Sequence, residues 1–270
     1  MPPTFDLFPL RFHFVAAAPI HFPDGMAANL IRGSLGKTWM RIAPEAYTRW
    51  FSPESSDGPS GLRDSPRPFV FRASHLNGAN LAAGEPYHFG INLFETREPI
   101  YDLFAKAFEE RFGPIQSIEG AEILRLPIEP VSQAVRRARV RFVTPTELKG
   151  AGYTDSRPEF GVLFARIRDR VSTLRALYGS GRLNIDFRMA AERANCVKMI
   201  KCEIERMDAA ERMTRLSRRT GQAHSLGGFI GEAEYEGDLA EFVPYLEIAR
   251  WTGVGRQTVW GKGEIAWETF

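Results

Sequence analysis

Over Leu10-Arg11-Phe12-His13-Phe14-Val15-Ala16, apolar side chains recur at every second position, the period of a half-buried strand. After Pro23-Asp24-Gly25 the spacing changes. Ala27, Leu30, Ile31, Leu35 and Trp39 follow an i, i+3, i+4 series and predict an amphipathic helix to about Arg41. Residues 52–68, dense in Ser, Pro, Gly and Asp, read as a surface loop. Two β-rich runs follow, Phe69 to His75 and Tyr87 to Phe94. Glu98-Pro99 then opens a helix with Ile100, Leu103, Phe104, Ala107 and Phe108 on one face, and Gly113-Pro114 ends it. A strand from Ala121 to Val131 completes the order β-α-β-β-α-β.

The second half repeats that order of elements without repeating its residues. Arg139 to Thr144 is a strand, and Phe160, Leu163, Phe164, Ile167, Val171 and Leu174 mark a helix with Arg166 and Arg170 at i, i+4 on its polar side. Val197 to Glu205 and Phe229 to Tyr235 are strands joined by a basic connection, Arg212 to Arg219. The next helix is predicted from Asp238, where Asp-x-x-Glu with Glu241 forms a variant capping box, and Pro244 should kink it. Gly263 to Glu268 is a short last strand. The economical reading is α+β: two tandem ferredoxin-like units with antiparallel sheets, residues 1–132 and 133–270. Such a fold hosts many functions and decides none.

A length of 270 residues agrees with two domains of ordinary size, and 44% hydrophobic with 25% charged residues excludes a disordered or collagen-like chain. No stretch approaches the roughly 18 apolar residues of a membrane span, and no basic segment precedes an apolar run at the start, so a cytoplasmic protein without membrane attachment is expected. The two cysteines, Cys196 and Cys202, are spaced to lie on one face of a single strand about 20 Å apart, too far to bridge. Neither a disulfide framework nor a four-cysteine zinc site is expected.

Charge is unevenly spread. Residues 1–130 hold 12 basic and 15 acidic side chains, 133–220 hold 20 and 10, and 221–270 hold 3 and 8. A basic block of this kind suggests a surface that faces a polyanion. Within it Arg137, Arg139 and Arg141 alternate with Ala138, Val140 and Phe142, so a strand sets a basic stripe on one face, suited to phosphate attraction.

The sharpest motif is Gly253-Val-Gly-Arg-Gln-Thr-Val-Trp-Gly-Lys-Gly263. Gly253, Gly255, Gly261 and Gly263 permit tight turns and would offer bare N–H groups to an anion, with Arg250, Arg256 and Lys262 beside them. It is not a dinucleotide fingerprint, since no strand precedes it and no helix is expected to follow, nor a P-loop, since five residues separate Gly255 from Gly261 and Gly263 stands at the Ser/Thr position. Arg32-Gly-Ser-Leu-Gly-Lys-Thr38 also fails as a P-loop, because Ile31 stands where glycine is required.

The glycine-rich loop resembles the C-terminal signature of the RAMP superfamily. With Arg32-Gly-Ser-Leu-Gly36, Phe142-Val-Thr-Pro-Thr-Glu-Leu-Lys149 and Leu226-Gly-Gly-Phe-Ile-Gly-Glu232, the chain resembles the CRISPR-associated endoribonucleases that cut precursor CRISPR RNA within its repeats. The resemblance implies tandem ferredoxin-like domains, metal-independent RNA cleavage with no cofactor, and CRISPR repeat RNA as partner, with other CRISPR-associated effector subunits as possible company. Such cleavage needs a proton acceptor for the ribose 2′-hydroxyl, a donor for the departing 5′-oxygen, and cations where phosphoryl charge grows. In that family the active histidine often lies in or beside the first helix, whereas Ala27 to Arg41 contains none. His21, just before it, is the first choice, with Lys37 as charge stabiliser. His13 and His75 are second choices. Arg137, Arg139, Arg141, Arg250, Gly253, Gly255, Arg256, Gly261, Lys262 and Gly263 are expected to hold RNA. The alternatives are a non-catalytic RAMP subunit that binds CRISPR RNA in an effector complex and a regulatory module that binds a small anion.

Overall fold

A computed structural model describes residues 3–51, 65–98, 100–148, 157–207, 214–216, 223–225 and 227–270. The loop read at 52–68 lies outside the described residues up to 64, as do Pro99, Lys149, Leu226 and most of the basic connection from Arg212 to Arg219. In the first half the elements run β1 (Thr4–Val15), β2 (Ile20–His21), α1 (Ala27–Ile42), α2 (Pro44–Phe51), β3 (Phe69–Arg72), β4 (Asn80–Leu81), β5 (Pro86–Leu93), α3 (Tyr101–Phe112), β6 (Ile115–Glu119) and β7 (Leu124–Pro127). In the second they run β8 (Arg137–Thr146), α4 (Phe160–Tyr178), α5 (Phe187–Asn195), β9 (Lys198–Met207), β10 (Thr214–Leu216), β11 (Ala223–Ser225), β12 (Gly228–Glu236), α6 (Val243–Thr252) and β13 (Ile265–Thr269).

Both main sheets are antiparallel and share one topology. The first has the order β3-β5-β1-β6, with β7 also on β1, and the second β13-β8-β12-β9. In each, the first strand of the unit lies between the last and the third, which is the ferredoxin-like arrangement read from the element order. Two further short pairings, β2 with β4 and β10 with β11, lie outside these sheets.

One face of each sheet packs on helices. In the first unit Phe12, Phe14, Phe89, Phe104 and Phe108 are buried with Trp39 and Trp50, and Phe108 meets Phe12 and Phe89 edge-on at 5.1 and 5.0 Å. Trp39 is fully buried, and its indole N–H donates to the Leu103 carbonyl at 3.3 Å. The second core, around Val140, Phe142, Phe164, Phe229 and Phe242, also takes in Phe5, Leu7, Val70 and Phe94 of the first half. The amino-terminal end of β1 therefore stabilises the other unit, and Arg175 of α4 donates to the Thr4 carbonyl at 2.6 Å.

Several boundaries depart from the sequence reading, each for a physical reason. β1 starts six residues early, because Thr4–Leu7 pairs with β7 and turns Phe5 and Leu7 into the second core. The run from Phe69 leaves the sheet after Arg72, and His75 sits in a 3-10 turn, Ser74–Leu76. Helix α6 begins at Val243, not Asp238. Pro244 falls in its first turn, where an N–H has no helical partner and proline causes no kink. Glu241 does not cap it but forms a two-pronged ion pair with Arg193 of α5. Helix α5 escaped the periodicity reading. Asp186 caps it, its side chain accepting from the N–H groups of Arg188 and Met189. Cys196 ends that helix whereas Cys202 lies in β9, so the two do not share a strand, and both are free.

Candidate functional site

The carboxyl end of α6 sets the site. Its last carbonyls have no helical partners and carry partial negative charge. Arg72 of β3 donates to the carbonyls of Arg250 and Trp251 at 2.9 and 2.8 Å, Asn92 of β5 to Trp251 at 2.7 Å, and Arg170 of α4 to Thr252 at 3.1 Å. Two of these donors belong to the first sheet, so the helix end that launches the glycine-rich loop is held by both halves. Burial, followed by the charge of Arg72, lowers the pKa of Arg170, and burial likewise lowers that of Arg72.

The loop that follows is closed on itself and seated on α1. Gly261 has φ +86°, and a Cβ there would come 2.5 Å from the Ala28 Cβ, so only glycine lets α1 approach. Gly263, with φ +70°, would drive a Cβ into the Val254 carbonyl. Three of the four expected bare N–H groups are not bare. Those of Gly253, Gly261 and Gly263 donate to the carbonyls of Ala249, Thr258 and Pro145. Gly253, Gly261 and Gly263 thus serve close backbone packing, with their N–H groups taken inside the protein.

The loop's cations are engaged too. Lys262 is 2% exposed, and its Nζ donates to the Gly227 carbonyl and stands 3.5 Å from Glu147. Arg256, itself exposed, donates to Glu147 at 2.8 Å. Burial pushes the Glu147 carboxyl pKa up, but the hydrogen bond and charge of Arg256 and the charge of Lys262 outweigh it, and the net direction is down. Arg250 reaches the Trp267 carbonyl at 3.2 Å and lies 3.5 Å from Glu247.

Between α1, the 3-10 turn and this loop runs a cleft lined by Ser74, Asn77, Thr144, Trp260, Lys262 and Glu264, among others. Arg32, one turn after Ala28, lies over the rings of Phe51 and Trp260 at 5.1 and 5.8 Å, making it the α1 cation beside the loop. Sequence reasoning passed over it, although its i+4 spacing from Ala28 was available once that contact was known. His21 is exposed, and its Nδ1 lies 2.7 Å from the Asn80 side-chain oxygen across the β2–β4 pair. An amide oxygen only accepts, so Nδ1 carries the hydrogen and Nε2 is the basic nitrogen. Lys37 is exposed nearly three turns into α1, about 15 Å along the axis from its start.

The arginine stripe on β8 is not an open basic surface. Arg137 pairs with Glu236 at 2.7 Å, and Arg139 with Glu234 at 2.8 Å and Glu268 at 2.9 Å. Arg141 is exposed opposite Glu232. Meanwhile three of the five histidines meet on the outer face of the first sheet. His13 and His88 stack with ring centroids 5.5 Å apart, and His75 and His88 at 4.5 Å. No sequence pattern announced this, because 75 positions separate the first from the last.

These features define a protein of two ferredoxin-like units held together beside a carboxyl-terminal glycine-rich loop. Residues 140–265 match the family model described as CRISPR-associated endoribonuclease Cas6, and residues 5–126 match a second model described as an N-terminal domain. No curated protein matches by sequence. Among solved structures, a Cas6 product complex is similar at 18% identity, covering 97% of this chain and 99% of that one, with TM-score 0.58. Thermus thermophilus Cas6 is similar at 15% identity over 99% of this chain and 100% of that one, also at 0.58. A partial Cas6-RT-Cas1–Cas2 complex is similar at 12% identity over 100% of this chain and 47% of that one, at 0.57. The carboxyl-terminal half of the chain thus matches the Cas6 endoribonuclease model, and the whole chain shares the fold of the Cas6 structures. Among the described residues no helix is long and apolar enough to cross a membrane.

Proposed function

We propose that the protein cleaves precursor CRISPR RNA within its repeats, without a metal ion, by attack of the ribose 2′-hydroxyl on the adjacent phosphorus. The products are a 2′,3′-cyclic phosphate and a 5′-hydroxyl, and the shortened RNA becomes a guide for other CRISPR-associated proteins. The carrying observation is the seating of the glycine-rich loop on α1, which aligns Arg32, Trp260 and the cleft beside them. His21 Nε2 takes the 2′-hydroxyl proton or returns one to the 5′-oxygen. Arg32 stabilises the developing phosphoryl charge from the loop side, while exposed Lys37 and Arg141 meet the RNA backbone further out. Lys262, Arg250 and the four glycines support this binding by holding the loop's shape, and residues 1–132 and 133–270 act as the two walls.

Incubation of the purified protein with labelled repeat RNA in excess EDTA tests the reading, with the product ends identified chemically. Cleavage to a cyclic phosphate is expected, slowed about 100-fold or more in His21→Ala. A wild-type protein that leaves the RNA intact overturns the catalytic reading. Full-rate cleavage by His21→Ala removes only that residue's role. The absence of histidine from α1 favours one rival, a RAMP subunit that binds CRISPR RNA without cutting it. That rival predicts a stable complex and no product.

A further inference from the structure

We propose that the His13–His88–His75 stack, with Arg11 beside it, is a second RNA-binding surface, a patch that takes backbone phosphates and gains protons as it does so. The proposal rests on the RNA-processing reading and extends it to a face of the molecule remote in sequence from the glycine-rich loop.

The case begins with register. Across the outer face of the first sheet, His13 of β1 stands opposite His88 of β5, and Arg11 opposite Gly90. His75 closes the row from the 3-10 turn, its ring stacked on His88. The His75 Nε2 lies 2.9 Å from the His88 carbonyl, which can only accept, so that nitrogen carries the hydrogen and Nδ1 keeps its lone pair. The charged and titratable groups facing His88 are few: His75, Arg11, His13 and Glu119. Glu119 of β6 is the carboxylate among them, 3.1 Å from His13 Nε2 and 3.6 Å from Arg11. With the imidazoles neutral, Arg11 and Glu119 balance. Every proton added after that is uncompensated, and stacked imidazolium rings repel one another. Burial first, then the charges of His75, Arg11 and His13, lower the pKa of His88 against the pull of Glu119. An arriving phosphate reverses that balance and draws protons onto the stack.

The location suits a strand that also reaches the cleft. Gly90 lies between Arg11 and Arg72 in the next row and leaves it free of bulk, and Arg72 leads to the end of α6 just ahead of Gly253. Ser74 and Asn77, on either side of His75 in sequence, line the cleft itself. Rings stacked face to face do not aim their nitrogen lone pairs at one point. Among the described residues, no group of three or more His, Cys, Asp or Glu is arranged to hold a metal ion.

The test measures binding of fluorescent single-stranded repeat RNA at constant ionic strength, at about pH 5.5 and about pH 8, either side of the histidine range. Wild type should bind about tenfold tighter or more at the lower pH, one pKa unit of uptake corresponding to tenfold. His75→Gln/His88→Gln should lose most of that gain while keeping its affinity at the higher pH. Glu119→Gln, at an exposed position, should bind tighter than wild type at both, and it serves if the histidine variant does not fold. An identical pH response in wild type and histidine variant, or unchanged binding by Glu119→Gln, overturns the patch and leaves RNA processing intact. A wild type that binds no RNA at either pH overturns both readings.

Discussion

The outer faces of the two sheets share a topology and differ in charge balance. On the second sheet the basic strand β8 lies between β12 and β13, and its arginines meet Glu236, Glu234 and Glu268. Lys201 of β9 continues the lattice to Glu203 and Glu232. On the first sheet, Arg11 and His13 pair with Glu119, and the rings of His88 and His75 stack in a row from His13. The segment with the large excess of basic residues thus presents a charge-paired face, because the acidic segment 221–270 supplies both strands that flank β8. A run of like charge in a sequence describes composition, and strand order decides whether it becomes a field.

The sharpest way to break this contrast is Lys262→Met. If the loop's cations are structural, removing one partner of a buried pair leaves Glu147 and the Gly227 carbonyl short of a donor. The expected cost is about 3 kcal/mol in urea unfolding. Normal stability with a large loss of RNA affinity would instead make Lys262 a phosphate ligand.

Arg72→Met tests the tie between the halves. It strips two α6 carbonyls of a charged donor and should cost about 2 kcal/mol, with RNA cleavage falling alongside because the glycine-rich loop starts at that helix end. Unchanged stability and cleavage would show that Asn92 and Arg170 suffice.

A smaller effect is expected from Glu147→Gln on acidification. The native pKa of Glu147 lies below its usual value, so its contribution is present above about pH 4.3, the unfolded carboxylate value, and is lost as pH falls through the native one. The variant, less stable near neutrality, should therefore lose less stability below that pH, as read from thermal unfolding across an acid series. Parallel curves would remove Glu147 from the balance.

The smallest effect concerns the stripe. Arg137→Gln/Arg139→Gln should change RNA affinity by no more than about twofold and barely alter its salt dependence, because both guanidiniums already have carboxylate partners. Arg141→Gln should weaken binding more. The reverse ranking would mean that RNA displaces Glu234 and Glu236.

Much of the fold was open to direct reading. Period-two runs such as Leu10 to Ala16 and period-3.6 runs such as Phe160 to Leu174 named strands and helices, since each buries one face and their repeats differ. Glycines at 253, 255, 261 and 263 marked a tightly turning loop, whereas its close approach to α1 came only from the structure. What eluded the reading was short or capped by a side chain: α5 depends on Asp186, and the start of α6 depends on where Pro244 falls in its first turn.

From sequence alone came the two ferredoxin-like units, the glycine-rich loop between α6 and β13, and the list of candidate cations and histidines. Only the folded chain decided which of those groups meet. Hydrophobic period and turn chemistry are local properties, written within a dozen residues, whereas Arg139 with Glu234, Lys262 with Glu147, Gly261 with Ala28, and His13 with His75 through His88 are set by strand register and packing across the whole chain.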